Sequence, residues 1–201
     1  LVLQVGFTCF KNAISKIIES GNVIQSVNSN WVKLILNYVL EYLNLSELNN
    51  SSFKVIKNFS KANLLDSIDG ENILKSMVQI HSKKMFNSSN CKDIGVILTH
   101  LLKIVSFKND DLIQIISIIV DLCSYDKFDD VLPALMTQLL NQSSSDNLSN
   151  LIQQFGNISD LKNEVSIVKI GTNKGQLLFN DKLIDFTFSQ ENDVTFVLVE
   201  Q

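Results

Sequence analysis

Few residues in this chain are of the types that carry covalent or acid–base chemistry, and their spacing keeps them apart. The 201-residue sequence has two histidines, His81 and His100, and three cysteines, Cys9, Cys91 and Cys123. His100 with Cys91 is the base–nucleophile pairing to weigh first. Both fall on one predicted helix, about two to three turns apart, which is too far for their side chains to meet within it. The cysteines are odd in number and widely spaced, with no Cys-x-x-Cys pair, so neither a zinc site nor a disulfide framework is indicated. Each has apolar sequence neighbours and reads as a buried thiol of a reducing compartment.

The doublets Asp110-Asp111 and Asp129-Asp130 have the right chemistry for a metal. Both stand where a helix begins, and carboxylates at that end are favoured by the helix dipole and free N–H groups. The sequence has no nucleophile elbow, phosphate loop or dinucleotide fingerprint. The expectation is a non-enzyme with no cofactor and no metal.

Charge narrows the partners. All 17 basic residues are lysine, and the formal net charge is −4. Nucleic-acid recognition draws on clustered lysine and arginine, with the planar arginine fork the usual reader of phosphate and guanine. The expectation is therefore no nucleic-acid partner, although a coding sequence poor in G and C would also deplete arginine. The densest basic stretch, His81-Ser82-Lys83-Lys84, reads as the solvated end of a helix. Eight Asn-x-Ser/Thr triplets follow from a composition in which asparagine and serine make up roughly a fifth of residues. The most apolar run, residues 112–123, is too short for a bilayer and contains Gln114, Ser117 and Asp121, so no membrane insertion is expected. The first residues lack both an initiator methionine and a basic leader. They read as the start of a piece cut from a longer intracellular protein, cytoplasmic or nuclear.

The elements that would position any site are mostly helices. Apolar residues at three- and four-residue steps predict about eight helices up to residue 156. The first, at residues 2–20, carries Phe10, Ala13, Ile14, Ile17 and Ile18, with Gly21 as its stop. The second, at residues 31–43, carries Trp31, Leu34, Ile35, Tyr38, Val39 and Tyr42. The third opens at Asn49 and runs through Ile68 to a stop at Gly70, with a weak stretch at residues 60–63. The fourth starts near Glu71, and the fifth follows a capping box of Asn90 with Asp93. The sixth, capped by Asn109-Asp110-Asp111, is apolar nearly all round and must be buried on several sides. The seventh follows Asp129-Asp130 with Pro133 harmlessly in its first turn, and the eighth follows residues 143–146.

From the third helix on, starts recur about every 18 to 20 residues, so a helix pair recurs about every 40. In that period and in its apolar stripes, residues 1–156 resemble armadillo and HEAT-type helical repeats. The resemblance implies a solenoid; an irregular helical bundle would share the same pattern.

Beyond residue 160 the period changes to two. Residues 165–170, 176–179, 183–188 and 194–199 read as four short strands separated by turns, an antiparallel meander. Ile167 to Leu177 resembles the middle hairpin of a β-propeller blade, and Leu183 to Val199 the opening hairpin of the next. The Trp-Asp and Gly-His signatures of the WD family are absent.

The sequence thus describes a mainly α protein: residues 1–158 form a helical repeat or bundle, and residues 159–201 a β-meander appendage. The function expected is that of a non-catalytic scaffold binding other proteins, a region of a larger subunit of a multiprotein assembly. Its candidate contact residues are Trp31, Tyr38, Tyr42, Phe186, Phe188 and Phe196, although three aromatics at helical spacing also suit a core. Residues 165–199 could add a strand to a partner's sheet. The alternative is a regulatory module for a small GTPase or phosphoprotein, or an enzyme without a recognisable motif. Either would need a polar pocket gathering His81, His100 or the aspartate doublets.

Overall fold

The computed structural model describes residues 6, 8–10, 12–13 and 29–142, and the backbone of residues 165–170, 174–179, 182–188 and 194–198. Six helices occupy the central part: α1 (Ser29–Tyr42), α2 (Asn49–Lys61), α3 (Ser67–Ser82), α4 (Cys91–Ile104), α5 (Asn109–Leu122) and α6 (Leu132–Gln142). A 3-10 turn, Asp126–Phe128, separates α5 from α6. The protein is mainly helical. It divides into two compact units, Leu1–Val105 and Ser106–Gln201. The expected boundary at residues 158/159, the eighth helix and the Gly21 stop lie outside the described residues.

In the first unit α1 packs on α2 and α3 on α4, while α2 also lies against α4 and α1 against α3. Short connections make each consecutive pair a hairpin, and the second hairpin stacks on the first. The core is built from Val32, Ile35, Leu36 and Val39 of α1, Leu43 just beyond it, and Phe53, Val55, Ile56 and Phe59 of α2. Ile73, Leu74, Met77 and Ile80 of α3 and Ile94, Ile97, Leu98 and Leu101 of α4 complete it. Phe53 meets Phe86 edge to face at 6.1 Å.

Several local features differ from the sequence reading. The third helix ends at Lys61 rather than running to Gly70. Asn63 takes a left-handed conformation (φ 53°), and the N–H groups of Asn63 and Leu64 donate to Ser60 and Phe59 carbonyls. That pattern is a Schellman stop, with asparagine in the place glycine usually takes. Lys84 (φ 53°) closes α3 in the same way, with Lys84 and Met85 donating to His81 and Ile80.

Gly70 is no stop but a buried residue in the first turn of α3. A Cβ there would lie 2.5 Å from Val105 Cγ2 and 3.4 Å from Leu101 Cδ2, so the missing side chain lets α3 approach the end of α4. The start of α3 is set instead by Asp66 and Asp69 in a reciprocal capping box. Asp69 N–H donates to Asp66 Oδ1 at 2.9 Å, and Asp66 N–H donates to Asp69 Oδ2 at 3.1 Å.

Asn90 does precede α4, but its side chain makes no capping bond to that helix. It serves the contact with α2 described below. Lys108 rather than Asn109 precedes α5, and its N–H donates to Asp111. Pro133 lies in the first turn of α6.

In the second unit α5 is buried through Leu112, Ile115, Ile116, Ile118, Ile119, Val120 and Leu122, with Ile113 half-buried. Four extended segments follow: β1 (Val165–Ile170), β2 (Lys174–Phe179), β3 (Lys182–Phe188) and β4 (Val194–Leu198). Their backbones pair antiparallel in the order β1-β2-β3-β4, with an irregularity in β1 between Ile167 and Lys169. α6 runs beside β4.

Candidate interaction surface

An α-helix turns by about 100° per residue, which places the buried side chains of α1 on one face. Trp31, Leu34 and Tyr38 form a second apolar stripe at steps of three and four. It is centred about 110° around the helix from that core face, to one side rather than opposite. All three are open to solvent: Trp31 37%, Leu34 55% and Tyr38 51% exposed. Tyr42, half-buried, continues the stripe, and Leu45 beyond the helix is 43% exposed. The expected aromatic residues therefore do share a face, and Trp31 and Tyr38 are not core residues. Leu34, which sequence reasoning placed on the helix without singling it out, is the most exposed member.

Lys33 forms an ion pair with Asp66 at 3.0 Å, linking α1 to the residue that caps α3. The Asp69 backbone N–H, and then Lys33, hold the Asp66 carboxyl below its ordinary range. Burial raises that of Asp69.

A polar seam joins α2 to α4 at their N-terminal ends. Asn90, fully buried, donates from Nδ2 to Asn49 Oδ1 and Asn50 Oδ1, both at 2.9 Å, and its Oδ1 accepts from Asn87 N–H. Asn49 is also buried and donates to the Leu43 carbonyl at 2.8 Å. Further along, Lys57 of α2 pairs with the largely buried Asp93 of α4. Two buried amides that satisfy each other fix which turn of α2 faces which turn of α4, since any slip would strand them.

His81 is in the last turn of α3 and stacks on Phe86 with centroids 5.7 Å apart. His100 lies within α4, half-buried, and its Nε2 is shut off from solvent with no hydrogen-bond partner among the described residues. Burial and, less strongly, Lys103 push its imidazole below the ordinary value of 6.5.

Cys91 and Cys123 are buried, and Cys91 Sγ donates to the Ser88 carbonyl. Cys9 is exposed, against the expectation that all three thiols are interior. Lys83 and Lys84 are exposed just past α3, as the solvated-end reading required. Among the described residues no group of three or more His, Cys, Asp or Glu is placed to hold a metal.

For the C-terminal candidates the backbone register is informative. Phe186 lies opposite Phe196, and Phe188 opposite Val194.

The fold and surface thus define a mainly helical protein with an exposed apolar stripe on α1. No helix among the described residues is long and apolar enough to cross a membrane. Compared with known proteins, the chain matches no family model, no curated protein and no solved structure.

Proposed function

We propose that this chain is a non-catalytic scaffold of helical-repeat type that binds other proteins inside the cell, as a region of a larger assembly subunit. The observation that carries the reading is the exposed stripe Trp31, Leu34 and Tyr38 on the flank of α1. Large apolar side chains clustered on a surface, with tryptophan and tyrosine among them, are the composition of a protein-docking face.

The repeat character is supported by position and stacking. Alternate helices begin at Ser29, Ser67 and Asn109, and at Asn49, Cys91 and Leu132, so a helix pair recurs about every 40 residues. α1 lies against α3 and α2 against α4, which is how hairpins stack in a solenoid. The C-terminal strands would form a β-meander appendage whose outer strand, β1, has an unpaired edge within the described sheet and suits addition of a partner's strand.

A photo-crosslinking amino acid at position 38 in the native cell tests the docking face, with the exposed polar position Lys75 on α3 as control. Discrete protein adducts from position 38 and none from position 75 are expected. Equal labelling from both would defeat the reading.

A further inference from the structure

Charge in the first unit is sorted by layer. α1 and α3, which lie against each other, carry Lys33 and Lys75 against Glu41, Asp69 and Glu71. α2 and α4, the other stacked pair, carry five lysines, Lys54, Lys57, Lys61, Lys92 and Lys103, against the single acid Asp93. This excess of positive charge stands in a chain whose formal net charge is −4.

The lysines are also aligned. Lys54, Lys57 and Lys61 recur at steps of three and four, which puts them on one face of α2, opposite the buried Ser52, Ile56 and Phe59. Lys92, Val96 and Lys103 share one face of α4 in the same way, opposite the buried Ile94, Leu98 and Leu101. Lys57 reaches across to Asp93, so the lysine stripe of α2 borders α4, and the one carboxylate of the pair is already taken. Lys54, Lys61 and Lys103 are exposed, and among the described residues none of the three pairs with a carboxylate. Like charges three and four residues apart repel, so the arrangement works against the helix that carries it.

We infer that the outer face of α2 and α4 docks an acidic segment of another protein. Its carboxylates pair with Lys54, Lys61 and Lys103, and an apolar residue between them covers the half-buried Val96. This surface shares no residue with the stripe on α1 and goes beyond it. A short acidic peptide fits the face better than nucleic acid does. The face has no arginine to clamp phosphates, and Lys54 and Lys61 stand about 10 Å apart along the helix, room for a few carboxylates. A long polyanion would also meet the acidic remainder of the chain.

The probe is a fluorescein-labelled peptide of repeating Glu-Glu-Leu, followed by fluorescence anisotropy with the full 201-residue chain at low ionic strength. The parent should bind it saturably, and added salt should weaken binding as exposed charges are screened. Lys54→Glu, Lys61→Glu and Lys103→Glu together should weaken it by at least about tenfold. The three glutamine replacements should act in the same direction by less, and they keep the test readable if the reversals disturb the fold. Lys75→Glu, Lys83→Glu and Lys84→Glu together reverse three exposed lysines in and after α3. They change the net charge equally and should leave binding within about twofold of the parent.

Absence of saturable binding by the parent would overturn the proposal, as would equal losses from the two sets of reversals. Tighter binding of a fluorescein-labelled oligothymidylate than of the peptide would overturn it too, because the face would then be a nucleic-acid surface.

Discussion

At the scale of single residues, stability depends on a few polar groups that the core cannot release to water. Asn90 is fully enclosed and bonded to Asn49, Asn50 and the Asn87 backbone. Replacing it with alanine leaves the buried Asn49 oxygen and the Asn87 N–H with one partner fewer, and should cost about 2 kcal/mol. Urea unfolding of Asn90→Ala measures this through its midpoint, and an unchanged midpoint would show that the seam is not structural. His100 gives a pH dependence whose sign is fixed. Its folded-state affinity for protons is depressed, so below the ordinary value of 6.5 the unfolded chain takes up the proton more readily than the folded one. Stability should therefore be unaffected above that value and decline as pH falls toward the depressed folded value, where the loss is complete. His100→Gln should remove this part of the slope when unfolding is followed from about pH 7.5 to about pH 5.

At the scale of elements, sequence located the helices better than it located their ends. The apolar periods of α2, α3 and α4 are plain in the chain, because a helix must bury one stripe. The break between α2 and α3 was marked only by an irregular stretch at residues 60–63, and Gly70 drew the boundary to the wrong place. Glycine serves both as a helix stop and as a point of close packing, and neighbouring residues do not say which. The distance to Val105 does. Gly70→Ala forces a methyl group against Val105 Cγ2, and should destabilise the protein by about 1–3 kcal/mol despite alanine's better helix propensity. Combining it with Val105→Ala should cost less than the sum of the two single changes, since each then makes room for the other. Additive costs in a double-mutant cycle of unfolding free energies would show that the close approach is relieved elsewhere. The stripe on α1 is the matching lesson about faces. Trp31 and Tyr38 fit the helical period as well as Ile35 and Val39 do, and only packing separated the exposed pair from the buried pair.

At the scale of the whole molecule, the chain by itself determined the class: mainly helical, mildly acidic, without arginine, and with helix starts spaced so that pairs recur. These properties are local or compositional. Hydrophobic period, caps such as Pro133 in a first turn and the count of charges are set by residues near one another in sequence. The tertiary structure decided what depends on distant residues. It brought Asn49 and Asn50 to Asn90, paired Lys57 with Asp93, and set Gly70 beneath Val105. It also left one side of α1 uncovered, a result that no window along the chain can contain, because exposure is a property of what fails to arrive from elsewhere. Of the histidines and cysteines, which seemed the first places to look for function, His81 and His100 stand on different helices, Cys91 and Cys123 are buried, and Cys9 is exposed. The flank of Trp31, Leu34 and Tyr38 carries the functional reading because burial of apolar surface is non-local: the sequence supplies the side chains, and only the packed helices decide which of them face water.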